Sequence, residues 1–352
     1  MQARFIAKTH TEALRPGNYS ILIAKCTYPD QGAYPEQVEK RLTEIISSKS
    51  VAKFTVLTAT SKNRGFGFLR DNMIWSWKGY VIYTALKFLN KVSIEDPNVF
   101  FDLSRLEQVM FLRFFLETEG AMILKLAERA IQTGYIAYSF LKTDIQNIFA
   151  EIYNGYLDIA PDFRTRTRLR ESQNQLKARN EKYGSGTIAH KVKPHLQALV
   201  DLGVLELESI DKDEVYRMLD YNNVRPLEKF HEAIGNFSNL EEIVLKDEYY
   251  RVIAEAVNLN PVAYTRPIHE DLLKQSLIYG YVEMRNGVTG MADIESLMTW
   301  SRIHLLSEEK ILASRSDIER FFGEMRREDP SSIRYHVDGK GNIAYMIISD
   351  WL

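Results

Sequence analysis

Residues 186–208, GTIAHKVKPHLQALVDLGVLELE, set the tightest limit on what this chain can fold into. At helical spacing Ile188, Val192, Leu196, Leu199 and Val200 fall on one apolar stripe, and His190, Lys193 and Gln197 lie opposite. Pro194 would break a helix interior but is tolerated in a first turn, where backbone N–H groups have no internal partner. The pattern therefore predicts a helix that begins near His190 or Lys191. Gly203 ends it in the left-handed conformation that favours glycine. Residues 204–208 then alternate apolar and polar as a half-buried strand does, SIDKDE turns the chain, and VYRML returns as a second strand. His195 sits beside the apolar stripe, which predicts a packed side chain rather than a base reader or a metal ligand.

The charge around this stretch is lopsided. Between Arg164 and Lys193 stand nine basic residues (Arg164, Arg166, Arg168, Arg170, Lys177, Arg179, Lys182, Lys191, Lys193) against Glu171 and Glu181. That local surplus is seven positive charges, so with a net charge of −2 the remainder of the chain carries −9. Such asymmetry marks a surface for a polyanion. The alternative is a solvated helix face whose partners are acidic residues elsewhere in the fold. FRTRTRLR has only Glu171 as a nearby acidic neighbour, which favours phosphate contacts. Its four arginines would line one face if extended and spread around three sides of a helix.

At 352 residues the chain is long enough for two or three domains with real cores. Its one cysteine, Cys26, can form neither an internal disulfide nor a thiolate zinc cage, which points to a reducing compartment. No apolar run approaches the roughly 20 residues of a membrane span, and the first residues lack the apolar core of a signal peptide. The expectation is a soluble, cytoplasmic protein with no membrane association.

Helix, glycine, strand, turn, strand, in the residues quoted above, resembles the recognition helix and wing of winged helix-turn-helix DNA-binding domains. The matching residues are Leu196, Leu199, Gly203, Val204 and Leu205, and the resemblance covers residues 143–222. It implies that His190, Lys191 and Lys193, early in the helix, face DNA. Gln197 is placed for base contact, since its amide can pair bidentately with adenine. The segment ESIDKDE is acidic where a phosphate-gripping wing should be basic, so wing contact is not expected. Some winged helices serve only as protein-contact modules, which is the competing reading.

Two further stretches carry weaker forms of the pattern. In residues 35–91, Pro35 opens a helix with Val38, Leu42, Ile45 and Ile46 on one face. A basic turn, a strand MIWSW, a Lys78-Gly79 turn, a strand YVIYT and a helix ALKFLNK follow. Lys62, Arg64, Arg70 and Lys78 would be its basic contacts; a small α+β core in which Trp75 and Trp77 simply pack is the alternative. In residues 316–352, a helix capped by Ser316 or Asp317 precedes a hairpin around Asp338–Asn342, with Lys340 at the tip. Residues 102–134 read as two packed helices, capped by Asp102 or Ser104 and broken near Gly120. TDIQNIFAEIYNGYLDI is another helix, and residues 225–312 are mainly helical with breaks at Pro261, Pro267, Gly287 and Gly290.

Enzyme signatures are weak. No phosphate-binding loop motif, third dinucleotide-loop glycine, His-Glu-x-x-His pair or serine elbow is present. A restriction-type nuclease would need Pro-Asp followed by Asp/Glu-x-Lys to hold Mg²⁺. Here Pro161-Asp162 and Glu206-Leu207-Glu208 lack the lysine, and Glu242–Lys246 has the wrong spacing. No catalytic residue, metal ligand or cofactor is therefore assigned.

The expected fold is mainly α with small antiparallel hairpins, built as tandem winged-helix-like units joined by helical segments. Its parts are an arm (1–34), a winged-helix-like unit (35–95), a helical connector (96–142), a central winged helix (143–222) and a helical region ending in a hairpin (223–352). The expected function is non-catalytic binding of double-stranded DNA, as a transcription regulator, a plasmid or replication factor or a DNA-defence component. A scaffold subunit of a protein complex is the alternative, and self-association into a homodimer is open. The expected DNA-facing residues are Arg164, Arg166, Arg168, Arg170, Lys177, Arg179, His190, Lys191, Lys193 and Gln197. Lys62, Arg64, Arg70, Lys78 and Lys340 form a secondary set.

Overall fold

The longest element, α5 (Arg105–Thr133), runs through the interior of the molecule, and helices from both its N-terminal and C-terminal sides in sequence pack against it. Ser104 starts it with a reciprocal cap: the Ser104 hydroxyl accepts from the Glu107 N–H, and the Glu107 carboxylate accepts from the Ser104 N–H. Gly134 ends it at φ 78°. The break expected near Gly120 is a kink rather than a chain reversal: Glu119 leaves helical geometry at φ −117°, ψ 15°, and the helix resumes beyond it. The computed structural model describes residues 14–60, 65–158, 160–183, 185–218, 250, 268–339 and 343–349.

On the N-terminal side lie α1 (Pro16–Ile21) with a π-helical extension to Cys26, α2 (Pro35–Ile46), α3 (Lys49–Ala59) and α4 (Trp77–Phe88). In α2, Val38 and Leu42 are buried and Ile45 and Ile46 half-buried, the face expected from their spacing. No hairpin follows. Residues 77–88, expected as a turn and a strand leading into a helix, are one helix. Its sequence explains this: Ser76 accepts from the N–H groups of Lys78 and Gly79 as a cap, and Val81, Ile82, Ala85 and Leu86 recur at helical spacing in the core. A Cβ at Gly79 would come 2.7 Å from the Phe68 carbonyl oxygen, so that glycine serves close packing rather than a turn.

The C-terminal half of α5 leads into β1 (Tyr135–Ala137), α6 (Tyr138–Asp158), α7 (Phe163–Tyr183), α8 (Ser185–Asp201), β2 (Leu205–Ile210) and β3 (Asp213–Met218). Strand order is β1-β3-β2, all antiparallel, with Ile136 opposite Tyr216 and Leu207 opposite Tyr216 on the other side. The β2–β3 turn is Asp211-Lys212, both at positive φ (49° and 68°), the two-residue turn whose twist suits a hairpin. α8 starts earlier than Pro194 implies. It is continuous from Ser185, and Pro194 lies in its interior, where it leaves the carbonyl four residues back without its helical donor. Gly203 ends it as expected, at φ 70°, with the Val204 N–H donating to the Leu199 carbonyl.

A second unit repeats this order. α9 (Glu270–Met284), β4 (Ala292–Asp293), α10 (Ile294–Ser307), α11 (Arg315–Glu328), β5 (Ile333–Val337) and β6 (Ile343–Ile348) form a sheet in the order β4-β6-β5. In both units a short strand before a helix pairs with the second strand of the later hairpin; the first unit differs by carrying α7 as an extra helix. The cap of α11 is Ser314, two residues before the expected position, and Asp317 completes a reciprocal cap with it. α10 sits between the units, against α4, α5 and α9. The fold is thus mainly α with two small three-stranded antiparallel sheets. No helix among the described residues is long and apolar enough to cross a membrane.

Lys78 is an interior cation. Its ammonium donates to the Phe66 carbonyl at 3.0 Å and pairs with Glu117 at 2.9 Å, and Arg113 meets the same carboxylate at 2.6 Å. Burial alone would raise the Glu117 carboxyl, but Lys78 and Arg113 more than offset it and hold it below the usual carboxylate range. A carboxyl depressed in the fold stabilises fully above its unfolded pKa of about 4.3, and that stabilisation fades as pH falls. Lys78→Met should therefore cost roughly 3 kcal/mol at neutral pH, the low end for breaking a buried pair, because Arg113 still faces Glu117. In denaturant melts from pH 7 to pH 3, the difference between wild type and Lys78→Met should shrink with acid; a constant difference would show that Glu117 is not the coupled group.

Candidate nucleic-acid interface

α7 begins at Phe163 because Asp162 caps it. The Asp162 carboxylate accepts from the Thr165 N–H at 2.7 Å and from its hydroxyl at 2.9 Å, and these bonds hold the acid below its ordinary pKa. Leu169 is buried and Leu176 half-buried, so this side of α7 faces the body and the rest is solvated. Arg164, Arg166, Arg168, Arg170 and Lys177 are all exposed. Four-residue spacing puts Arg164 and Arg168 on one flank, and Arg166, Arg170 and Lys177 on the other. The arginines thus divide into two stripes rather than three.

None of these five cations forms an ion pair with any described residue. Elsewhere, cations are committed: Arg15 to Asp201, Arg129 to Asp144 and Glu151, Lys125 to Glu128 and Glu151, Arg315 to Glu295 and Glu319. The alternative of an internally neutralised basic face is therefore not what α7 presents among the described residues. Phe163, at its start, is 81% exposed.

The remaining candidates are distributed differently. Lys193 is half-buried; its ammonium pairs with Glu214 of β3 at 2.6 Å and lies 5.3 Å from the Tyr138 ring centre. Glu214 also accepts from the Tyr216 hydroxyl at 2.8 Å, and although burial pushes its carboxyl up, these donors hold it below normal. Lys193 is thus held against the sheet rather than extended toward base edges. Gln197, expected at base edges, is half-buried, and its amide oxygen is enclosed without a partner. His195 is packed as expected, its Nε2 2.9 Å from Glu119 Oε2.

In the secondary set, Lys78 is the interior cation described above. Arg70 is exposed and lines a separate cleft with Asp30, Tyr80 and Asp293. Lys62, Arg64 and Lys340 lie outside the described residues, as do the side chains of Arg179, His190 and Lys191.

The nuclease fragments are otherwise occupied. Asp162 is a helix cap, and Glu208 pairs with Arg217 across the hairpin at 2.7 Å. Among the described residues no three His, Cys, Asp or Glu side chains gather to hold a metal ion. One group escaped the sequence reading. Gln146 and Asn147 of α6 face Gln173 and Asn174 of α7 across a cleft of about 350 Å³. Two adjacent amides at each of two helical positions were the available signal, but only the α6–α7 packing brings them together.

No protein-family model, no curated protein and no solved structure significantly matches this chain.

The cap makes α7 testable apart from any ligand. Asp162→Ala should lower stability, because the first-turn N–H groups lose their side-chain acceptor. Hydrogen exchange should quicken in the first turn of α7, at Arg164–Arg166, while α6 is unaffected. Unchanged exchange at those amides would remove Asp162 from this role.

Proposed function

We propose that the chain is a non-catalytic binder of double-stranded DNA, in which residues 135–218 act as a winged helix-turn-helix-type unit with an inserted basic helix. The single observation that carries this reading is the set of five exposed cations on α7 that have no ion pair among the described residues, where other described cations are so often paired. Unpaired guanidinium groups gain from phosphate without first breaking an internal bond, and release of counterions from the DNA drives association. Helices α6 and α8, apart from the inserted α7, and a three-stranded sheet in the order β1-β3-β2 support the resemblance of residues 143–222 to winged helices. The binding mode implied is sequence-tolerant, because the arginines are placed for backbone phosphates, while Lys193 and Gln197 are engaged or enclosed.

A second reading rests on the outer strand β2. Leu207 and Ile210 are 47% and 40% exposed there, beside an acidic turn. An apolar edge of this kind suits a protein partner, so a scaffold role using the same unit is the competing function.

Because the arginines form two stripes, a rigid duplex meets one stripe more fully than the other. Binding should weaken with salt at a log-log slope of about −0.9 per phosphate contact. Of the variants Arg166→Ala/Arg170→Ala and Arg164→Ala/Arg168→Ala, one should reduce that slope by roughly two units and the other by clearly less. Fluorescence anisotropy of a labelled duplex from 50 to 300 mM salt measures both. Folded variants that keep the wild-type slope would move the scaffold reading to first place.

A further inference from the structure

The cleft between α6 and α7 lies on the flank of α7 that carries Arg166 and Arg170. Arg166, Arg170, Gln173, Asn174 and Lys177 follow one another at helical spacing along that side. Its volume of about 350 Å³ falls in the lower part of the range for small-ligand pockets, roughly 300–1,000 Å³. Phe149 and Tyr153 are buried and Leu176 is half-buried, giving the cleft an apolar floor. Its polar lining comes from Gln146, Asn147, Gln173 and Asn174, with Lys177 at the edge.

The chemistry of this lining is narrow. It contains four primary amides and one cation, and no carboxylate. Asn147 is held by Asp144 at 2.9 Å, and Gln173 only approaches Asn154, at 3.5 Å. Gln146 and Asn174 have no hydrogen-bond partner among the described residues. An amide presents a donor and an acceptor side by side, which matches the edge of a nucleobase, adenine best of all. An apolar floor accommodates the base, and a cation at the rim favours an anionic substituent.

We propose that this cleft binds one nucleobase of a nucleotide, adenine preferred, with its phosphate directed toward Lys177 and Arg170. The base has two sources, a free mononucleotide or an unpaired base in a DNA strand lying along the Arg166–Arg170 stripe. The second source rests on the DNA-binding reading above, whereas the first does not.

The test uses the full-length chain and three probes: dAMP, a duplex with one unpaired adenine, and the same duplex fully paired. Gln146→Ala/Asn174→Ala is the variant, and Asn174→Leu, which keeps size and adds no charge but removes donor and acceptor, is the second. Gln146 and Asn174 are exposed, so both variants should melt as wild type does. Wild type is expected to bind dAMP by calorimetry, or to prefer the bulged duplex about tenfold over the paired one, the scale of one bidentate amide–base pair. Both variants should abolish that dAMP binding or that preference while leaving affinity for the paired duplex unchanged. Binding of dAMP without a preference for the bulge assigns the cleft to a free nucleotide. Loss of dAMP binding in the variants, with no duplex binding in any form, keeps the cleft and rejects the duplex reading. No dAMP binding up to millimolar concentration together with equal affinity for the two duplexes overturns the proposal. So does a bulge preference that survives in both variants, because bending of the duplex would then explain it.

Discussion

Glu119 and His195 meet in the interior at 2.9 Å, and the course of α8 through the molecule depends on that contact. Both side chains are almost fully buried, and each keeps a second polar atom, Glu119 Oε1 and His195 Nδ1, enclosed without a partner. Their mutual bond is therefore the satisfaction each has among the described residues. Leaving a buried polar group unpaired costs about 1–3 kcal/mol, more if it is charged, so α8 cannot slide or rotate on α5 without losing it. Glu119 is also the residue at which α5 departs from helical geometry. The kink and the contact occupy the same position, and together they aim the second half of α5 toward β1. From that direction follow the sheet β1-β3-β2 and the placement of α6, from which α7 projects.

Local signals in the chain were legible where the deciding forces are local. Gly203 stops α8, the 205–218 hairpin forms and Ser104 caps α5, all from residues within a few positions of one another. Mainly helical character with small antiparallel hairpins was likewise readable from periodicity. Residues 77–88 read as strand because MIWSW and YVIYT are rich in aromatic and β-branched residues on either side of Lys78-Gly79. Burial of Val81, Ile82, Ala85 and Leu86 against α5 and α10 selects the helix instead, and that partner surface is far away in sequence. Pro194 misled in the same way: its local penalty is real, but packing of Val192, Leu196 and Leu199 into the core carries the helix through it.

Charge followed a parallel rule. The surplus on residues 164–177 was visible as composition, and its exposure follows from a helix with only Leu169 and Leu176 to bury. The fate of Lys78 and Lys193 was not visible. Each basic group meets a carboxylate many positions away, Glu117 and Glu214, so its sequence neighbourhood says nothing about whether its charge is free. A count of basic residues overstates a polyanion surface by the number that tertiary packing has already neutralised.

That distinction also separates the two repeated units. Both present a helix and a hairpin in the same order, yet the first carries an inserted helix whose exposed cations have no ion pair among the described residues, and the second does not. On α11, Arg315 pairs with Glu295 and Glu319, Arg320 with Asp317, and Arg326 lies over the Tyr335 ring. Phosphate would have to displace those partners, and exposed pairs that gain only about 0–1 kcal/mol still screen the charge that would attract it. The outward residues of the second hairpin include Val337, Ile343 and Tyr345, with Arg334 and His336 exposed beside them. One topology is thus used with two surface chemistries, basic beside α8 and nearly neutral on α11. Arginines are present in both, but α11 also carries Asp317, Glu319, Glu324 and Glu328, whereas α7 has only Glu171 and Glu181.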